Sequence, residues 1–421
     1  MSLSLSIANH CICKVFALLV FSQCLLAQSL GQSSDDDLET SPGVTVFVLA
    51  SEGVVAESVD DDSQVTIPHD KSLRIYETAP NRYIVYYEGK QVYVLQDDVK
   101  LLPDALAEVE KRLADDPRSV ELLALKTRLL YLLRKTDACV KASDAVLEIE
   151  PEHVQTLQQR CSSFFFLGET QQMTETLRVL EKIAPDHYRT HANRFYLDQQ
   201  IGRHDDALES IKKALELEPY QTALWSNMGL QKMIMGLADE ADEAWQKAIE
   251  VDPAFAGAHY FIGHYATQDG DIEKAKKHYR EFARLNGDNV TPYRSLAVDA
   301  AQENDGDSLR RYLIRLSNCS DATKHDRYES GWELATSDIA GAVDGQQALR
   351  IANELIESET EPDFVSRNLL LKVAALLRLE KFKEASDTLE LVSPDSRFEQ
   401  YRVLKDSADK ERPFETPSSF R

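Results

Sequence analysis

Basic residues are the first shortage: 47 lysines and arginines stand against 71 aspartates and glutamates in 421 residues, a formal net charge of −24. A surface of that sign repels nucleic acid and anionic lipid, so no nucleic-acid partner is expected. Cysteine is scarce as well, with six in the chain. Cys11, Cys13 and Cys24 lie near the start, and Cys139, Cys161 and Cys319 are odd in number and widely spread, which excludes a disulfide framework. The motifs of catalysis and ion binding are also missing. The chain has no His-Glu-x-x-His, phosphate-binding glycine loop, Gly-x-Ser-x-Gly or paired-cysteine metal spacing. The sequence therefore predicts no enzymatic activity, no cofactor and no metal site. Asp60-Asp61-Asp62 lacks fixed ligand spacing and reads as a solvated loop. Asp269-Gly270-Asp271 reads as a turn whose Asp271 caps a helix. His187 and His191 read as structural.

The start of the chain has the form of a sorting signal. Lys14 precedes the apolar run from Val15 to Phe21, which Ser22 and Gln23 interrupt, and no acid occurs before Asp35. Residues 1–27 read as a secretory signal peptide cut after Ala27, leaving a periplasmic or secreted protein with no stable membrane span. Retention as an uncleaved anchor, or a lipid anchor at Cys24, stays open. Residues 28–41 are polar, acidic and aperiodic, the composition of a disordered tether. The tail, 410–421, reads the same way.

Between these ends two patterns follow one another. From 42 to 101 the chain alternates with a period of two. Five strands are expected, around 44–50, 63–67, 72–76, 82–87 and 91–95, with Glu88-Gly89-Lys90 as a three-residue hairpin loop. Tyr87-Glu88-Gly89-Lys90, Val92-Tyr93-Val94 and Asp97-Asp98-Val99 resemble the bacterial Src-homology-3-like barrels, although Val92-Tyr93 stands where that family has Gly-Trp. The resemblance implies a small, independent all-β barrel. It also leaves an alternative function open, binding of cell wall or glycan through an exposed cluster of Tyr83, Tyr86 and Tyr93.

After a helix at 104–114, Pro117, Pro151, Pro185, Pro219 and Pro253 recur every thirty-four residues, in phase with Gly168, Gly202, Gly236 and Gly270. Such a period means stacked two-helix units that bury their apolar faces only against neighbours. Trp225, Met228, Gly229, Gly236, Ala241, Trp245, Ala248 and Pro253 match the tetratricopeptide repeat pattern, and the resemblance spans about 103–400. Beyond Asn289 the register slips, but three further pairs can be read, the last ended by Pro394. The implied fold is mainly α, a right-handed superhelix of about eight helix pairs preceded by the barrel.

The resemblance implies a protein-interaction scaffold whose first helices line a concave groove. Transferred onto six units, its lining positions give thirty residues, of which only Glu121 is acidic, where the composition would supply about five. The candidate partner-binding residues are Arg128, Tyr131, Gln158, Phe165, Phe166, Arg189, Tyr196, Gln199, Gln200, Met233, Tyr260, His264 and Arg294. The expected partner is a peptide or protein segment, neutral to mildly acidic, and the oligomeric state is left open.

Overall fold

The computed structural model describes residues 43–50, 52–59, 63–392 and 399–412. The expected signal peptide, the tether, Asp60–Asp62, Pro394 and residues 413–421 of the tail lie outside the described residues. The chain divides into two compact units after Gly287.

The first unit opens with β1 (Thr45–Val48), β2 (Val54–Ser58), β3 (Gln64–Ile67), β4 (Ser72–Ala79), β5 (Arg82–Tyr87), β6 (Lys90–Leu95) and β7 (Val99–Leu101). They form one antiparallel sheet in the order β3-β2-β6-β5-β4-β1-β7. Two of these strands were not expected. In β2 the residues alternate between buried and exposed, but Ala56, Glu57 and Ser58 have low strand propensity and hide the alternation. β7 is three residues long and is held by pairing with β1. The hairpin also differs from expectation. Tyr87 pairs with Lys90, so the loop is two residues, and Glu88 (φ 50°) and Gly89 (φ 75°) both take the left-handed conformation of a tight primed turn. Val46, Ile67, Ile75, Val85 and Val92 fill the sheet's core.

α1 (Leu102–Asp115) follows β7 without a break, and five helix pairs come next. They are α2 (Val120–Leu132) with α3 (Thr136–Ile149), α4 (Val154–Leu167) with α5 (Thr170–Ile183), and α6 (Tyr188–Gln200) with α7 (His204–Leu217). The fourth pair is α8 (Thr222–Ile234) with α9 (Ala238–Val251), and the fifth is α10 (Ala256–Asp269) with α11 (Ile272–Arg284). The sheet is not insulated from them. Phe47 and Leu49 of the β1 end pack into one core with Leu102, Ala105 and Val109 of α1, Leu129 and Leu130 of α2, and Cys139 of α3. Independence would have required that apolar surface to face water.

Glycine serves two purposes in the pairs. Gly168, Gly202, Gly236 and Gly270 turn with φ between 74° and 83° into open space, so conformation alone selects them. Gly229 instead makes room, since a Cβ there would lie 2.4 Å from the Trp245 indole. That indole is buried and donates to the Ser226 carbonyl at 3.1 Å.

The second unit holds α12 (Val290–Gln302), α13 (Gly306–Asn318), α14 (Lys324–Thr336), α15 (Gly345–Glu357), α16 (Pro362–Arg378), α17 (Phe382–Leu389) and α18 (Glu399–Asp409). Leucines and alanines of α16, including Leu370, Leu371, Ala374 and Leu377, centre its own core. Asn304 (φ 56°) and Glu380 (φ 58°) take the left-handed turn positions that glycine holds earlier, one reason the thirty-four-residue register fades.

Candidate functional site

The row of first helices carries the candidate residues, and the structure sorts them into groups. Phe165 of α4 stacks on Tyr196 of α6 with centroids 4.9 Å apart, and Phe166 meets Phe165 edge-on at 5.4 Å. The Arg134 guanidinium lies 4.7 Å over the Phe166 ring. Asn227 Nδ2 of α8 donates to the Tyr196 hydroxyl at 3.0 Å, so the aromatic cluster is tied across three successive pairs. Phe165 is buried, whereas Phe166 and Tyr196 are only partly so and show ring surface on the row.

A polar ladder runs along the same row. Asn193 Nδ2 donates to the Gln158 carbonyl at 3.2 Å, the Ser162 hydroxyl donates to Asn193 Oδ1 at 2.7 Å, and Gln199 Nε2 donates to Gln231 Oε1 at 3.4 Å. These bonds serve stacking of the repeats, and one of them, from Gln199, uses an amide expected to face a ligand. The Gln158 side-chain amide is itself buried and has no hydrogen-bond partner. Gln200 is partly buried beside this ladder, and Met233 packs against the Ala241–Trp245–Ile262 cluster. Farther along, buried Tyr260 stacks on His264 at 5.7 Å, and Gln268 Nε2 lies 3.1 Å from His264 Nε2. Burial lowers the His264 pKa. Arg294 belongs to the second unit, where it pairs with Asp326 at 2.5 Å.

Of the remaining candidates, Arg128 meets the sheet region. Arg128 of α2 is buried and pairs at 3.2 Å with Asp70 of the β3–β4 turn. Burial, with Arg189 nearby, lowers the Arg128 pKa to about 10, and its Nε has no partner. Arg189 of α6 donates from Nε to the Tyr188 hydroxyl at 2.8 Å. Burial pulls its pKa down, but Tyr188, Tyr131 and Asp70 outweigh that and hold it raised. Both guanidiniums stay charged. Of the two, Arg128 is the one paired with Asp70, while Arg189 is held by Tyr188.

Further contacts join the sheet to the fifth pair. Arg74 of β4 donates from Nε to Asp252 Oδ2 at 2.7 Å and lies 4.7 Å over the Phe255 ring, at the entry to α10. Asp252 Oδ1 meanwhile accepts from the Ala254 amide at 3.0 Å. Arg284, at the end of α11, donates to the Tyr76 carbonyl at 3.3 Å and covers the Tyr76 ring at 4.8 Å. The hairpin glycine Gly89 faces the Tyr220 ring. Sequence reasoning missed this seat, because its partners lie as many as 208 residues apart and each alone reads as a solvated surface residue.

Two other clusters have structural explanations. His259 and His278 are buried between α10 and α11, with Nδ1 atoms 3.1 Å apart and ring centroids 5.3 Å apart. This near end-on approach suits an N–H···N bond, and burial lowers both pKa values to about 4, so both rings are neutral at pH 7. They border an open cavity of about 640 Å³ with Asp271, Glu273, Lys274 and Lys277. Asp271 caps α11 by accepting from the Lys274 amide at 3.0 Å. In the second unit, Asp288, Cys319 and Asp321 converge. Their carboxylates already accept from the amides of Ser320 at 2.7 Å and Val290 at 3.1 Å, which fastens the start of α12.

The tyrosines of the sheet form no exposed cluster. Tyr83 lies in the core, Tyr86 packs edge-on against Tyr76 at 5.2 Å, and Tyr93 lies beneath Arg82 at 4.5 Å.

The profile of the tetratricopeptide repeat family matches residues 256–289, the fifth helix pair with the residues that follow it. Among solved structures, PilF of Pseudomonas aeruginosa is 17% identical, covering 50% of this chain and 94% of its own, with a TM-score of 0.40. A thermophilic tetratricopeptide repeat protein of Thermus thermophilus, TTC0263, is 22% identical, covering 39% of this chain and 89% of its own, with a TM-score of 0.36. A tetratricopeptide repeat protein of Parabacteroides merdae is 15% identical, covering 46% of this chain and 76% of its own, with a TM-score of 0.41. No curated protein matches the chain. The family match, on a fold of helix pairs with thirty-four-residue spacing, supports a tetratricopeptide repeat protein, a fold whose usual work is protein–protein interaction. Among the described residues no helix is long and apolar enough to cross a membrane.

Proposed function

We propose that this chain is a non-enzymatic interaction scaffold that holds a peptide or protein segment along its row of first helices, outside the cytoplasm. The observation carrying this reading is the Phe165–Phe166–Tyr196 cluster. It offers partly uncovered aromatic rings beside an arginine, on a row nearly free of acids. Aromatic and arginine side chains are the groups that most often anchor an interface. The signal-like start of the sequence supports the location, and the short antiparallel strands support an Src-homology-3-like barrel. Glycan binding through that barrel is less favoured, since the inward turn of Tyr83 takes away part of the platform it would need.

The test is affinity capture from an extracytoplasmic extract with the wild-type chain and with a Phe166→Ala/Tyr196→Ala variant. The variant should keep its helical circular dichroism and lose the captured protein. Equal capture would move the site off this row. Arg189 is left intact, so that its bond to Tyr188 is not disturbed in the same experiment.

A further inference from the structure

In the second unit an arginine is held in place without an anion. Arg367 stands on α16, and its guanidinium lies 3.9 Å over the ring of Tyr328 on α14 and 5.4 Å over the Phe364 ring. Tyr328 in turn stacks on Trp332, with centroids 6.0 Å apart. The Arg367 Nε is buried and has no hydrogen-bond partner, and among the described residues no carboxylate pairs with the side chain. One was within reach of the sequence. Asp363 stands exposed one turn earlier on α16, a spacing at which ion pairs form, yet the guanidinium is turned onto the rings instead. An arginine that serves solubility alone keeps its nitrogens in water. This one gives up water at Nε, and two rings fix its plane, which leaves the edge of the fork to a planar anion. The surface beside it is apolar: Tyr328 is buried, Trp332 is partly buried, and Phe364 is 50% exposed. Tryptophan, tyrosine and arginine together are the usual anchors of an interface.

We propose that α14 and α16 form a second docking site, for a peptide segment of a partner protein. An aspartate or glutamate side chain of that segment bonds the Arg367 fork, and an adjacent apolar side chain covers Phe364. The unpaired cation selects the acid, and the exposed ring selects its neighbour. The site does not depend on the Phe165–Phe166–Tyr196 cluster of the first unit.

A library of random peptides, displayed through their C-terminal ends so that every carboxylate on offer belongs to a side chain, tests the site on the full chain. Peptides that bind the wild type are depleted on an Arg367→Gln variant. The survivors should share an aspartate or glutamate next to an apolar residue. Replacing that acid by its amide should weaken binding to the wild type about tenfold and leave the residual binding to Arg367→Gln unchanged. Arg367→Lys keeps the charge and loses the fork, so it should bind the survivors about tenfold more weakly than the wild type, with an unaltered thermal midpoint. It takes the place of the Gln variant if that one does not fold. A selection without survivors, or survivors without an acid, overturns the site, and so does equal binding by Arg367→Lys. The Phe166→Ala/Tyr196→Ala variant should bind the survivors as the wild type does. Lost binding there would put the peptide on the first unit's aromatic cluster and overturn the second site as well.

Discussion

At the scale of single residues, the two kinds of glycine should respond differently to the same methyl group. Gly229→Ala places its Cβ inside the Trp245 ring contact, so the indole must shift and strain its bond to Ser226. Overpacking of that kind costs roughly 1–3 kcal/mol. Gly236→Ala meets no atom within 4 Å and pays only for a left-handed φ, about 1–2 kcal/mol. Calorimetry of the two variants should rank Gly229→Ala as the more damaging, and the reverse order would remove the close-approach argument. That Gly229 needs to be small was readable from sequence, because it sits at a small position of the repeat pattern; that its partner is Trp245 was not. That the limiting contact is the indole nitrogen edge was not, since a repeat pattern specifies residue size and not ring orientation.

At the scale of elements, the packing of α10 against α11 carries a pH dependence. His259 and His278 titrate near 6.5 when unfolded, and burial lowers both to about 4 in the fold. Between those values the unfolded chain binds more protons, so stability rises with pH across that window. The contribution is present above about 6.5 and lost as the pH falls toward about 4. Thermal unfolding measured over this range should therefore show a falling midpoint, and His278→Gln should flatten the slope. An identical slope in the variant would place the dependence elsewhere. Legibility differed by element for a physical reason. Helix pairs announced themselves through proline and glycine at fixed intervals, because each pair must stop and turn at the same place. β2 and β7 did not: β2 is held on both sides by β3 and β6 and needs little propensity of its own, and β7 is a three-residue edge strand, too short to show a period. The amide ladder from Gln158 to Gln231 was hidden too. Its members Gln158 and Gln199 looked like ligand contacts because the sequence cannot say whether an amide faces solvent or the next repeat.

At the scale of the whole molecule, the division after Gly287 predicts that the second unit can stand alone. Its core, from Ala297 to Ala408, is built from its own residues. A fragment of residues 288–421 should show helical circular dichroism and a cooperative thermal transition. A featureless melt would mean that the unit depends on what precedes it. The contact of the sheet with the fifth helix pair was the least legible part of the chain. Arg74 and Asp252 are separated by 178 residues, and nothing near either one marks the other.

That separation bears on the order of folding. The sheet precedes the array along the chain, yet the residues that hold it at the fifth helix pair, Asp252, Phe255 and Arg284, come near the end of the first unit. Local helix pairing within each unit closes short loops and is fast, whereas a contact across about two hundred residues must wait for the intervening chain to become compact. The sheet and five helix pairs should thus be in place before these contacts form. A refolding experiment should register helix formation first and burial of Arg74 last.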